Sequence, residues 1–294
     1  MVKATRSGYL LIESLVAIAV LTGLIGIVIP FIQSMELSLS KRQKILDLMA
    51  LNASLDDQFQ AQFQRLGSVG CFSSNEWLEV GNGQSKPARL TTDQLDLGSD
   101  WLYGKDFGLC AAYGWSDEHE IDVNMACESI GVGDSVHVSS CDQSSVAKVL
   151  SSNNGVLKAW NTGPALTGEV LVYSAEGFYW FVKEGKSQFN AFWRRPEKSG
   201  NALELMTGLE HVRFYPVLDR NLDGIADEVL VDYGTVPTAQ LVGILVEYLY
   251  GAAECELAAQ SQSYQTLRGD QWLYDGLCFK VGKLLASVGK TNET

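Results

Sequence analysis

The sequence predicts an α+β fold: one long N-terminal helix packed on an antiparallel β-sheet head with long loops. Three observations predict it. From Tyr9 to Ile32 the chain is apolar and carries one carboxylate, Glu13, and no base. From Leu48 to Leu66, apolar residues recur at steps of three and four. Beyond Gly67, short β-branched and aromatic segments alternate with Gly, Ser and Asn. With 46% hydrophobic and 19% charged residues among 294, the chain is globular and can bury a sizeable core. A net charge of -13 without clustered Lys and Arg excludes nucleic acid as a partner.

The first element is a helix of membrane-crossing length. The apolar run of 24 residues suffices to cross ~30 Å of hydrocarbon. Lys3 and Arg6 precede it, so the positive-inside rule leaves the N-terminus cytoplasmic and the rest outside. An ordinary secretory signal has a shorter apolar stretch and a small-x-small cleavage site, whereas here Pro30-Phe31-Ile32-Gln33 closes the run. Glu13 is the anomaly, because a carboxylate at that depth is costly and is retained for a partner.

The second element continues the first, over residues 34–66. Leu48, Leu51, Leu55, Phe59, Phe63 and Leu66 form one apolar face, with Asp47, Asn52, Asp56 and Gln60 between them. A continuous helix from Tyr9 to Leu66 would be ~87 Å long. Pro30 removes a helical hydrogen bond and Gly23 and Gly26 weaken the preceding turns, so bending or local melting is expected there. Gly67 is the expected C-cap.

The head, residues 67–294, reads as strands. Candidates are Ser135–Val138, Glu169–Tyr173, Gly177–Val182, His211–Leu218, Val229–Tyr233, Val242–Tyr250 and Leu277–Leu284. Ser174-Ala175-Glu176 is expected to turn a hairpin between the second and third. No repeat or linker marks a second independent domain.

All six cysteines lie in the head, and their spacing fits no zinc template, so an oxidising compartment with disulfides is expected. Loop closure favours Cys255 with Cys278 and Cys127 with Cys141, leaving Cys71 with Cys110. The segment Leu218 to Asp227 follows the D-x-[DN]-x-[DN]-G pattern of a calcium loop. Asp219, Asn221, Asp223 and Asp227 would give side-chain oxygens and Ile225 its carbonyl. Leu230 stands where an EF-hand has its bidentate glutamate, so a full EF-hand is excluded; Glu228, Asp232 or water would complete the shell, and the alternative is an acidic turn without metal.

Catalytic constellations are weak. His119, His137 and His211 form no metalloprotease motif, and no nucleophile elbow or phosphate-binding loop is present. Gly133-Asp134-Ser135 reads as a turn entering a strand, and Asp117 to Asp122 as a solvated acidic loop. Trp77, Trp101, Trp115, Trp160 and Trp193 read as core or edge packing, with an adhesive or sugar-binding platform as the alternative.

The stretch Gly8-Tyr9-Leu10-Leu11-Ile12-Glu13-Ser14-Leu15-Val16 resembles the signal of type IV pilins and pseudopilins. The resemblance covers a short basic leader, glycine, an aromatic, and glutamate five residues after the cut. Pro30 extends it, falling at position 22 once the leader is removed, where pilins commonly carry a proline. Val212-Arg213-Phe214-Tyr215, the aspartate-rich loop and Glu228-Val229-Leu230-Val231 resemble PilW-type minor pilins, as does Arg65 to Cys71.

This resemblance implies a pilin-like fold and a set of roles. Residues 1–8 would be a leader cut by prepilin peptidase between Gly8 and Tyr9, with Tyr9 then N-methylated. Residues 9–33 would form the membrane and filament-core helix, and Glu13 would pair with the ammonium of a neighbouring subunit, since an isolated charge in apolar surroundings is prohibitively costly. The protein would sit in the bacterial inner membrane with a periplasmic head and move to the pilus tip at the cell surface. The implied role is non-enzymatic: a minor pilin priming assembly with other minor pilins and the major pilin, with a tip adhesin as a further partner. The alternatives are a large pseudopilin of a type II secretion system, a minor pilin of a mannose-sensitive-haemagglutinin-type pilus, or, more distantly, a signal-anchored calcium-dependent periplasmic enzyme or binding protein.

Overall fold

A computed structural model describes residues 7–66, 77–107, 111–124, 130–140, 143–153, 155–174, 176–187, 189–251 and 261–288, with residues 7–11 described by their backbone alone. The chain divides into two units, Met1–Ala50 and Leu51–Thr294. The helix α1 runs from Ser7 to Phe63, 57 residues, without interruption at Pro30. The expected local melting is therefore absent. The missing amide at Pro30 removes one hydrogen bond of the helix without ending it. From Ile12 to Leu39 every side chain is exposed within the chain's own fold. The segment is long and apolar enough to cross a membrane.

The rest of α1 behaves as its stripe predicts. Leu55, Phe59 and Phe63, with Leu66 just beyond, are completely buried, whereas Leu51 is half-buried. Phe59 meets Phe192 and Tyr248 with ring centroids 5.0 and 5.2 Å apart, and Phe63 meets Trp180 and Phe214 at 5.8 and 5.6 Å. Such edge-on aromatic pairs add ~0.5–1.5 kcal/mol each beyond burial. Leu66 N–H donates to the Phe63 carbonyl at 3.0 Å, tightening the last turn.

The strands follow in chain order. They are β1 (Trp77–Asn82), β2 (Asp100–Asp106), β3 (Ala111–Glu118), β4 (Glu120–Asn124), β5 (Ser135–Ser139), β6 (Ser144–Asn153), β7 (Val156–Asn161), β8 (Leu166–Tyr173) and β9 (Glu176–Glu184). Then come β10 (Asn190–Pro196), β11 (Leu203–Thr207), β12 (Leu209–Leu218), β13 (Glu228–Val229), β14 (Gly234–Pro237), β15 (Leu241–Gly251), β16 (Ser261–Gln265), β17 (Gln271–Asp275) and β18 (Phe279–Ser287). One sheet has the order β11-β10-β9-β2-β1-β14, a second β13-β12-β15-β18, and β16-β17 forms a hairpin. All of these pairings are antiparallel. The α+β class predicted from sequence is the class observed.

Between β2 and β9, which are neighbours in the first sheet, the chain inserts a closed barrel with the order β3-β4-β7-β6-β5-β8. Its interior is a separate apolar cluster that includes Ile121, Val123, Val136, Val138, Val149, Leu157, Val170 and Val172. At its base, Phe107 and Tyr173 meet edge to face with centroids 5.6 Å apart. The expected hairpin through Ser174-Ala175-Glu176 does not form. β8 pairs with β3 and β5, and β9 pairs with β2 and β10. Two consecutive strands joined by a short link resemble a hairpin locally, but here that link carries the chain from barrel to sheet. The candidate strand Val229–Tyr233 is likewise shorter than expected, since β13 ends at Val229 and pairing resumes at Gly234.

Candidate functional site

At the N-terminus, Gly8 and Tyr9 lie in the first turn of α1, where only the backbone is described. Glu13 is exposed on the helix and forms no ion pair among the described residues. Pro30 lies inside α1 and is exposed as well. Gly23 and Gly26 have open space where a side chain would be, which leaves this face free for close approach by another helix.

The aspartate-rich loop is built from its own polar side chains. Asp219, completely buried, accepts the amides of Asp223 and Gly224 at 3.1 and 2.7 Å. Asp227 accepts Arg220 N–H at 2.8 Å, Asp223 accepts Ile225 N–H at 2.8 Å, and Asn221 accepts Asp223 N–H at 3.0 Å. Gly224 adopts φ 90°, the left-handed turn that the pattern's glycine permits. The donor set is hard oxygen, suited to calcium, and each carboxylate oxygen has further lone pairs to offer. In the loop as folded, those oxygens hold backbone amides. Among the described residues no three Asp, Glu, His or Cys side chains converge as a metal-holding group.

Of the cysteines, Cys278 is buried and disulfide-bonded. Cys71, Cys110, Cys127, Cys141 and Cys255 lie outside the described residues, as does Gly67, so the expected pairings and the C-cap fall there. Gly133-Asp134-Ser135 is the expected turn: Gly133 has φ 91° and Asp134 accepts the amide of Gly131 at 2.7 Å before β5 begins. The three histidines stand apart in separate contacts. His119 stacks on Trp160, His137 stacks on Tyr173, and His211 meets Asp96 at 2.7 Å.

Sequence reasoning missed the buried ionic centres. Asp100 receives Arg213 at 2.8 Å, Arg268, the amide of Phe214 at 2.9 Å and the Tyr233 hydroxyl at 3.1 Å. Burial pushes the Asp100 carboxyl up against the pull of Arg268 and Arg213; burial pulls Arg213 down, but Asp100, Tyr233 and Asp270 together outweigh it and hold the guanidinium above its ordinary value. With four donors converging, the charged pair is the state this geometry supports. Glu247, inside β15, accepts from Tyr215 at 2.8 Å, Tyr264 at 2.5 Å, Leu267 N–H at 3.0 Å and Lys283 at 2.9 Å. Burial pushes its carboxyl up, but these donors outweigh that and hold it below the ordinary glutamate value. The signal for Glu247 was a lone carboxylate inside an apolar strand, after Leu245-Val246; Asp100, following Gly98-Ser99 at the start of β2, carried no such signal.

These centres are structural in what they touch. Asp100 joins β2 to β12, and Glu247 joins β15 to the β16-β17 hairpin and β18. At the helix exit, Arg65 meets Asp106 at 3.0 Å and its carbonyl accepts Phe107 N–H at 3.1 Å, fixing the strand from which the barrel departs.

Against protein-family models, curated proteins and solved structures alike, the chain returns no match. Fold and composition define an α+β protein with one N-terminal helix long and apolar enough to span a membrane.

Proposed function

We propose that the chain is a minor pilin of a type IV pilus, cut after Gly8 by prepilin peptidase and assembled with other minor pilins to prime the filament at its tip. The observation that carries this reading is the placement of Glu13: one exposed carboxylate near the start of an uninterrupted apolar helix, five residues past a glycine and next to a basic leader. A helix that exposes its whole apolar surface needs lipid first and other helices afterwards, and a filament core supplies the second. Within it, the Glu13 carboxylate would neutralise the ammonium that cleavage creates on Tyr9 of an adjoining subunit, setting axial register. Gly23 and Gly26 support close helix approach there. The head is enlarged by the barrel between β2 and β9, and such bulk is easier to place at a tip than along a shaft of closely repeating subunits.

The role is structural rather than enzymatic, the head periplasmic and then surface-exposed, and calcium would tighten the Asp219–Asp227 loop without being needed to form it. Glu13→Ala tests the central step. Circular dichroism and the melting temperature of the head stay at wild-type values while incorporation into sheared filaments is lost; incorporation at the wild-type level contradicts the pairing.

A further inference from the structure

The outer face of the barrel is aromatic, which is unusual for a surface that closes on its own core. Tyr113, Trp115 and Trp160 are 54%, 64% and 42% exposed. Their neighbours are fixed by register. Trp115 stands between Glu169 on β8 and Asp122 on β4, and Trp160 stands between Glu120 on β4 and Lys148 on β6. Side chains directly opposite lie ~5 Å apart, so each indole is within reach of a carboxylate. Exposed tryptophan of this kind is what recurs at the centre of binding surfaces.

The charges on this face say what covers it. Asp117 and Glu120 are directly paired across β3 and β4, and such like-charge neighbours oppose the pairing that brings them together. Glu118, in the turn between them, holds a left-handed backbone at φ 57°, which is strained for a residue with a side chain. The lysines do not balance the face: Lys158 is committed to Asp122 at 3.3 Å, leaving Lys148 against Asp117, Glu118, Glu120 and Glu169. A strand pairing that tolerates repulsion beside two exposed indoles is relieved by a cation from outside.

The geometry points to a docking surface for a basic segment of a partner protein, with arginine or lysine laid over Trp115, beside the Trp160–His119 stack, and paired with Asp117, Glu120 and Glu169. Cation–π contact on the Trp115 indole supplies attraction, and the carboxylates supply selection for positive charge. The surface belongs to the barrel and does not depend on the helix-based reading above.

The test is fluorescence anisotropy of a labelled hexa-arginine peptide titrated with the full chain in neutral detergent, with chitotriose as a neutral competitor. The peptide binds at low salt and releases at high salt. Trp115→Ala weakens binding about five-fold. Asp117→Asn with Glu120→Gln weakens it comparably and raises the melting temperature, so loss of binding is not loss of fold. Asp57→Asn with Glu184→Gln makes the same charge change on other exposed acids and leaves binding at the wild-type level. The proposal is overturned if that control weakens binding as much, if Trp115→Ala binds as wild type, or if chitotriose displaces the peptide.

Discussion

At the scale of single residues, the head is fastened to its helix by polar side chains placed among aromatic ones. Tyr248 on β15 lies over Gly282 of β18 and donates to Asp56 at 2.5 Å and to Asn52 at 3.0 Å on α1. Burial, with Asp56 second, pushes its hydroxyl far up, so it remains a donor at any pH the fold survives. A Cβ on Gly282 would come within 2.2 Å of the Tyr248 ring, and so Gly282→Ala must move that ring off the helix. The expected cost is ~1–3 kcal/mol, read as a lower urea midpoint with unchanged slope. Gln62 is the companion case: buried, it accepts from Trp180 and Arg194 at 3.1 Å each, so Gln62→Ala leaves the buried Trp180 N–H without its acceptor, takes one acceptor from half-buried Arg194, and costs ~1–3 kcal/mol. The helix stripe was legible because Phe59 and Phe63 repeat at period 3.6. Gln62 was not, because its partners stand more than a hundred residues away.

At the scale of elements, β15 shows how acid should undo the fold. The native Glu247 carboxyl titrates below its unfolded value, so its stabilisation is complete above that unfolded value, ~4.3, and is lost as pH falls through the lowered native one. Urea unfolding at stepped pH should show stability dropping steeply in acid, and Glu247→Gln should flatten the acid limb while lowering stability at neutral pH. An acid limb identical in the two proteins contradicts the assignment. The Asp219–Asp227 loop gives a second element-scale prediction: adding calcium to chelator-treated protein raises the melting temperature, and Asp219→Asn abolishes the rise. An unchanged melting curve on calcium addition removes metal from the account. Individual strands such as β5, β12 and β15 were legible from alternation and β-branching. The barrel was not, because its closure rests on β3 meeting β8 and β5 meeting β8 across some fifty and thirty residues, and no local pattern records such pairings. The Ser174 to Glu176 link misled for the same reason: proximity along the chain mimicked proximity in the sheet.

At the scale of the whole molecule, the chain joins a helix whose apolar side chains from Ile12 to Leu39 are exposed to a head with buried apolar cores of its own. The first half was the most legible part of the sequence, since length, apolarity and a lone Glu13 are all local facts. The head's buried charges were the least legible, since Asp100 reads as an ordinary turn acid until Arg213 and Arg268 are brought to it. The buried disulfide at Cys278 adds a constraint on the unfolded chain, and its reduction should lower stability by ~2–4 kcal/mol, read by urea unfolding with and without reductant. The central claim remains the conversion of an apolar helix into a filament-competent one by a single cut. Mass spectrometry of the N-terminal peptide from membranes of cells making the full pilus machinery tests it most directly: the account predicts a peptide beginning at N-methylated Tyr9, and a peptide that still contains Met1 to Gly8 contradicts it.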